Sequence, residues 1–311
     1  MKKDSQRIYV SVTNDLCTDQ RVAKVCNTLV MNGYDVVLIG RKLPHSWSLK
    51  LEYSTKRFRL PFNSGPLFYV SYSIYLFFFL LFSKRGFLLS NDLDTLLSNF
   101  LVSKLKQMPL IYDSHEYFTE VPELVKRPAV KAVWTSIEKA ILPNVNAAYT
   151  VSQPIADAYF KKYNVRFEVI RNLPYRFSGL SADSEENVIM YQGALNIGRG
   201  LELMIDAMAY FDGQLWIAGD GDIADELKAR VKINSLEQKV IFLGRLGVKE
   251  LKRLTPKASL GLSLEEELGL NYTYALPNKL FDYIQSGVPV LVASLPEMAK
   301  VVNQYQVGEL L

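Results

Sequence analysis

Cysteine and histidine are scarce in this chain. Cys17 and Cys26 are its two cysteines, and Cys26 falls within a predicted helix, so neither a disulfide framework nor a zinc site is suggested. A reducing cytoplasm is the expected location. Met1-Lys2-Lys3-Asp4 leads straight into the strand-like RIYVSV, without the apolar region and cleavage site of a signal peptide. A long apolar run is also missing, since PLFYVSYSIYLFFFLLF, residues 66–82, falls short of the roughly twenty residues that span a bilayer. Charge of one sign is weak. A formal net charge of +4 does not argue nucleic-acid binding, although it is compatible with an anionic ligand or membrane surface. The GDGD of residues 219–222 lacks the third glycine of a dinucleotide fingerprint. Its Asp-x-Asp, like Asp92-Leu93-Asp94, is weak as a metal motif, and Asp92 has a ready structural role as the N-cap of the next helix. No metal and no other cofactor is expected.

What the chain does have is an almost unbroken alternation of strand-like and helix-like segments. In the first half RIYVSV, YDVVLIG, GFLLSND, PLIYD, AAYTVS and FEVIRN are short apolar runs separated by helical patterns such as RVAKVCNTLVMNG and QPIADAYFKKY. In the second half the runs are NVIMYQG, QLWIAGDG, VIFLGR, LGLSLE, PVLVAS and VGELL. Such alternation builds open parallel sheets, and its doubling in 311 residues predicts an α/β chain of two Rossmann-like domains, residues 1–172 and 173–311. The seam is expected within LPYRFSGLSADSEEN, residues 173–187, which has proline, glycine, serine and charge but no period. Two doubly wound domains facing each other create a cleft at the C-terminal ends of their strands, where open sheets bind ligands.

The stretch PNKLFDYIQSGVPVLVAS, residues 277–294, is the most informative. Pro277 suits a first helical turn, Leu280, Phe281 and Ile284 make an apolar stripe, and Gly287 with Pro289 stops the helix. The unpaired N–H groups of a helix start suit a diphosphate, which puts Ala275 and Leu276 in the candidate site with Asn278 and Lys279. One turn further on, Asp282 offers two acceptor oxygens to a vicinal diol such as ribose. A core helix carrying a solvated aspartate is the plainer alternative. In YQGALNIGRGLELMIDAM, Gly193, Gly198 and Gly200 let backbone approach phosphate oxygens, and Arg199 adds a cation. Gly219, Gly221 and Arg245 lie on the next loops at the same end of the sheet. In IYDSHEYFTEVPEL, Asp113 and Glu116 have capping-box spacing, whereas His115, on a loop after a strand, is read as a binding residue. Near the N-terminus Asp19 is placed to cap a helix, and Asp15 and Arg21 are open to either a structural or a binding role.

These segments resemble the family-4 retaining glycosyltransferases of GT-B fold. Residues 277–290 look like the donor-site helix "P-x-K-L-F-E-Y-x-x-x-G-x-P-V", with Asp282 in place of the second glutamate of the E-x7-E motif and Tyr274 in place of the first. The loop at 193–200 resembles "G-R-L-x-x-x-K-G", with Arg199 in the lysine place and Ala194 in the arginine place, so that Lys279 or Arg245 is left to supply a second diphosphate cation. The block around His115 resembles "v-Y-D-x-H-E", and residues 19–29 resemble the opening "D-x-R-V-x-K-x-A-x-x-L", where the loop after the first strand faces the acceptor, which would give Asp15 and Arg21 an acceptor-side place. The resemblance implies transfer of a hexose from a nucleotide-diphosphate sugar to a saccharide or lipid-linked acceptor, with retention and without metal. It implies ribose binding for Asp282 and stabilisation of the departing diphosphate by His115, while Tyr274, among the donor-side candidates, stands where the family's sugar-associated glutamate would be without carrying that role over. Cell-surface polysaccharide synthesis is the implied setting.

Two alternatives stay open. Tyr274 and Ala194 suit a catalytically weakened homologue that binds a nucleotide sugar and assembles with other enzymes, and a UDP-sugar epimerase of similar fold is the third reading. Because VGELL is followed by none of the C-terminal helices of GT-B enzymes, the C-terminal domain is expected to be incomplete. The apolar run at 66–82 is read either as a buried helix of the first domain or, with Lys56, Arg57 and Arg59 before it and Lys84 and Arg85 after it, as a peripheral attachment to an anionic membrane face.

Overall fold

The computed structural model of the protein describes residues 6–17, 19–44, 46, 48–121, 124, 127–176 and 186–311. The chain separates into two compact units, one of Met1–Thr119 with Arg127–Arg171 and one of Glu120–Lys126 with Asn172–Leu311. Part of the expected seam, residues 177–185, lies outside the described residues.

The first unit is built on strands β1 (Arg7–Asp15), β2 (Asp35–Arg41), β3 (Ser54–Phe58), β4 (Phe87–Asn91), β5 (Leu110–Ser114), β6 (Ala147–Thr150) and β7 (Glu168–Val169). They form one seven-stranded sheet in the order β3-β2-β1-β4-β5-β6-β7, with every pair parallel. Parallel strands covered on both faces need apolar side chains on both, which is why β1 buries Ile8, Tyr9, Val10 and Val12 in succession. β3 was not expected. Its sequence, STKRF, is polar because it is the sheet's edge, with one buried residue in five. The helices are α1 (Gln20–Met31), α2 (Gly65–Leu81), α3 (Leu93–Lys106), α4 (Pro128–Ile141) and α5 (Gln153–Tyr163). Asp19 caps α1 by accepting a hydrogen bond from the Val22 N–H at 3.0 Å. Helix α2 turns Phe68, Tyr72, Leu76 and Leu80 inward, and the Tyr72 hydroxyl donates to the Val12 carbonyl at 2.6 Å.

The second unit carries β8 (Val188–Gln192), β9 (Gln214–Ala218), β10 (Val240–Gly244), β11 (Leu260–Ser263), β12 (Val290–Val292) and β13 (Gly308–Leu310), ordered β10-β9-β8-β11-β12-β13 and all parallel. Each matches an apolar run of the sequence. Helices α6 (Leu201–Ala207), α7 (Ala224–Ile233), α8 (Val248–Leu254), α9 (Leu270–Thr273), α10 (Asn278–Gln285) and α11 (Pro296–Tyr305) cover it. Helix α10 is pinned by Tyr283, whose ring lies where a Cβ on Gly261 would come within 2.4 Å, so β11 needs glycine there. The Tyr283 hydroxyl accepts from the Gln192 N–H and donates to the Met190 carbonyl, both at 3.0 Å. In both sheets the chain order reverses beside the first strand, at β1/β4 and at β8/β11, and these switch points open at the strands' carboxyl ends. No helix among the described residues is long and apolar enough to cross a membrane.

Candidate functional site

At the carboxyl end of the second sheet, a buried carboxylate gathers two cations. Glu265, just past β11, is buried and accepts from Ser263 Oγ at 2.7 Å. Lys279 Nζ lies 2.7 Å from its Oε1, and Arg199 Nη1 lies 3.3 Å from the same oxygen. Burial would raise the Glu265 carboxyl, but the charges of Lys279 and Arg199 outweigh it and hold it below its ordinary value. Burial pushes the Lys279 ammonium below its usual range, against the pull of Glu265. Aromatic faces support both cations: Lys279 Nζ is 4.1 Å from the Tyr191 ring centroid, and the Arg199 guanidinium is 4.7 Å from that of Tyr272. Two side-chain cations thus converge on one carboxylate oxygen at the end of the sheet, a pairing of cations that can meet an anion.

Asp282 projects from α10 and accepts from Gln192 Nε2 at 2.9 Å, while Gln192 Oε1 accepts from Thr255 Oγ1 at 2.9 Å. Asp282 therefore has a fixed orientation at the end of β8 and is only half-buried. The loop glycines have specific backbone duties. Gly198 and Gly200 take positive φ, and a Cβ on Gly200 would meet the Leu264 carbonyl at 2.2 Å. Gly193 also has positive φ, and its N–H closes the loop onto the Ala218 carbonyl at 3.0 Å. Gly219 and Gly221 have a packing reason: Cβ atoms there would meet the Gly193 carbonyl at 1.8 Å and the Leu195 carbonyl at 2.5 Å. Ala275, expected to offer its N–H to a phosphate, donates it to the Tyr272 carbonyl at 3.0 Å, because the short helix α9 ends there. Tyr274 and Leu276 are half-buried beside it, Asn278 is exposed on the first turn of α10, and Arg245 is exposed after β10. Glu265 and Gln192 were missed by sequence reasoning. The signal for Glu265 was present in the Glu265-Glu266-Glu267 run at a strand's end.

The first unit has its own polar cluster at the carboxyl ends of β1, β4, β5 and β6. The capping-box reading of Asp113 and Glu116 is corrected here. Asp113 belongs to β5, is fully buried, and its carboxylate takes an ion pair from Arg21 and a hydrogen bond from the Tyr149 hydroxyl at 2.8 Å. No α-helix starts at Glu116, only a 3₁₀ turn over Phe118–Glu120. Arg21 thereby joins a buried network. Burial disfavours its charge, yet Asp113 and Asp92 outweigh that and raise its pKa. The N-cap reading of Asp92 is corrected as well: its side chain makes no capping bond, and Oδ2 lies 2.8 Å from Nδ1 of His115. Its backbone pays a conformational penalty for this, with φ at 57°, a region non-glycine residues seldom adopt. Asp94, on the same turn, accepts from Thr13 Oγ1 at 2.5 Å, and burial followed by the charge of Asp92 raises its carboxyl to about 7.

His115 is 23% exposed. Burial opposes its charge, but the Asp92 carboxylate prevails and raises the imidazole from 6.5 to about 9. A base whose folded pKa exceeds its unfolded one stabilises the fold fully below pH 6.5, and this contribution is lost as pH rises through about 9. Asp92→Asn is expected to remove the charge and return His115 toward 6.5. Histidine Cε1–H resonances followed by NMR against pH would read this directly, and an unmoved titration would dismiss Asp92 as the cause. Asp15 lies apart from this pair. Its carboxylate takes Arg57 Nη2 at 2.8 Å and the Ser46 hydroxyl. Arg57 is consequently turned inward and is not the membrane-facing charge expected from its position before the apolar run of residues 66–82.

Comparison with known proteins gives three kinds of likeness. Residues 186–311 match the family model described as Glycosyl transferases group 1. An uncharacterised glycosyltransferase of Methanocaldococcus jannaschii is 27% identical over 130 residues, a region that covers 40% of this chain and 31% of that protein. The match thus spans about a third of that relative's length. Among solved structures, sucrose-phosphate synthase from Thermosynechococcus elongatus aligns with a TM-score of 0.75 at 17% identity, covering 98% of this chain and 85% of the other. HepE of Anabaena, in complex with UDP and glucose, aligns with a TM-score of 0.69 at 14% identity, covering 96% and 83%. The fold is that of GT-B glycosyltransferases.

Proposed function

We propose that this chain is a glycosyltransferase that takes a hexose from a nucleotide-diphosphate sugar and passes it, with retention, to a saccharide or lipid-linked saccharide in cell-surface polysaccharide synthesis. The observation that carries the reading is the pair of cations, Arg199 and Lys279, sharing Glu265 at the carboxyl end of a parallel sheet in the unit that the family model matches. Two cations held side by side suit a diphosphate. Asp282, oriented by Gln192, is proposed to accept from the ribose hydroxyls. Support for a nucleotide donor comes also from the HepE structure, which holds UDP and glucose in the same fold. In the proposed reaction the leaving diphosphate is met by these cations and by backbone N–H groups, without a metal. His115, held as imidazolium by Asp92, is proposed to face the donor sugar and oppose charge that develops on departure.

Calorimetry with UDP, GDP and ADP tests the donor half. One of them is expected to bind, and Asp282→Asn to weaken it by roughly one to two powers of ten through loss of a charge-assisted hydrogen bond. No binding by any of the three, or equal binding by a folded Asp282→Asn variant, would take the nucleotide or Asp282 out of the proposal. Release of free nucleoside diphosphate from a panel of nucleotide sugars, with and without lipid-linked acceptors, tests the transfer half.

A further inference from the structure

Helix α2 breaks the rule that a surface helix shows water a polar face. Its inward stripe is apolar, but so is its outward one: Leu67, Val70, Ile74 and Phe78, spaced three or four residues apart, are each at least half exposed. Helix α3 repeats the pattern with Leu97, Leu101 and Leu105. The two helices run side by side in the same direction. Ser98 Oγ on α3 donates to the Ser73 carbonyl on α2 at 2.9 Å, and a turn or two later Lys106 Nζ donates to the Leu80 carbonyl at 3.1 Å. Their outward stripes are therefore neighbours and make one patch, not scattered exposed residues. Helix α4 extends it with Val130 and Val133, and its Trp134 meets Tyr69 of α2 edge-on at 5.4 Å.

Charge selects what covers this face. The segments 65–107 and 127–142 contain no exposed carboxylate: Asp92 and Asp94 are turned into the polar cluster, and Glu138 is buried beneath Tyr163. Exposed cations remain, with Lys84 and Arg85 after α2, Lys104 on α3, and Arg127 and Lys139 at the two ends of α4. At the same end Phe78 stacks on Phe82, which is 83% exposed. These two rings also line a cavity of about 570 Å³ to which Arg7 and Lys84 contribute. An apolar surface rimmed by cations, with no exposed acid in these two described segments, fits an anionic bilayer, in which apolar side chains enter the acyl boundary and cations meet headgroup phosphates. A second copy fits poorly, because a two-fold contact would set the basic rim against itself.

We infer that the outward face of α2, α3 and α4 docks on an anionic lipid surface. The inference deepens the proposed function by naming where a lipid-linked acceptor would be met, but vesicle binding needs neither donor nor turnover, so either can fail alone. The test is sedimentation of the 311-residue chain with phosphatidylcholine vesicles that contain or lack phosphatidylglycerol. The chain is expected to pellet with the mixed vesicles, with affinity roughly tenfold or more above that for phosphatidylcholine alone and falling as salt rises. Ile74→Asp with Leu101→Asp should reduce pelleting by roughly tenfold or more at unchanged melting temperature, since both side chains are exposed in the parent. Lys104→Glu should lose roughly fivefold. Tyr210→Ser, at an exposed site of the second unit, should change nothing. Absence of pelleting by the parent chain, or equal pelleting by the double variant, overturns the inference. So does a dimer in light scattering that the same substitutions abolish without any vesicle binding, which would give the face to a second copy.

Discussion

Replacing Lys279 with methionine is expected to weaken nucleoside diphosphate binding by roughly a hundredfold or more. Two effects add. The ligand loses a cation, and Glu265 loses the nearer of the two cations that face its Oε1, so that its negative charge bears more on the ligand's oxygens. The variant also breaks a buried ion pair, so its melting temperature should fall. Glu265→Gln separates affinity from stability. It strips Arg199 and Lys279 of their shared counter-charge, which destabilises the unliganded fold but presents both cations to an arriving diphosphate without that carboxylate between them. A ligand that binds only the folded state stabilises it more as affinity rises. The nucleotide-induced shift in melting temperature should therefore be larger than the parent's in Glu265→Gln and smaller in Lys279→Met. Differential scanning fluorimetry and calorimetry read the two quantities. Equal nucleotide affinity in all three proteins would make the cluster a packing device with no part in donor binding.

The architecture was legible because parallel strands announce themselves. Twelve of the apolar runs in the sequence became strands, while β3 escaped because an edge strand need not be apolar. Helix α10 was legible from Pro277 to Gly287 for the same local reasons. The sites were harder to read, because partners distant in sequence decide what a charged side chain does. Asp92 looks like an N-cap by position, and only the fold brings His115 to it from the next strand. Arg57 reads as a surface cation until β1 and β3 are seen to deliver it to Asp15. Gly219 and Gly221 are read from the sequence only as donor-side loop positions, and the fold adds that the crowding of two neighbouring loops requires glycine at both. Sequence alone also cannot tell an apolar helix covered on one side from one covered on both. Helix α2 is buried along one stripe and bare along the other, so the buried-helix reading of residues 66–82 holds for one of its faces.

Changing His115 to alanine is expected to lower turnover by roughly 10²- to 10³-fold while nucleotide affinity stays within about twofold, as for loss of a charge-stabilising donor that acts in the transition state. The reason lies in its protonation. With Asp92 beside Nδ1 the imidazole is raised to about 9, so at neutral pH it is a cation and cannot serve as a general base. In the proposed reaction the charge itself is what His115 contributes, and the pH profile should report it: the rate should fall as pH rises through about 9, with no matching fall near 6.5. Asp92→Asn then moves the descending limb toward 6.5 without touching the reacting sugar, an effect that a merely structural histidine would not produce. A His115→Ala variant whose rate and nucleotide affinity drop together, in proportion to its folded fraction, would assign His115 to the support of its loop. A descending limb that ignores Asp92→Asn would show that some other group sets the alkaline side of the profile.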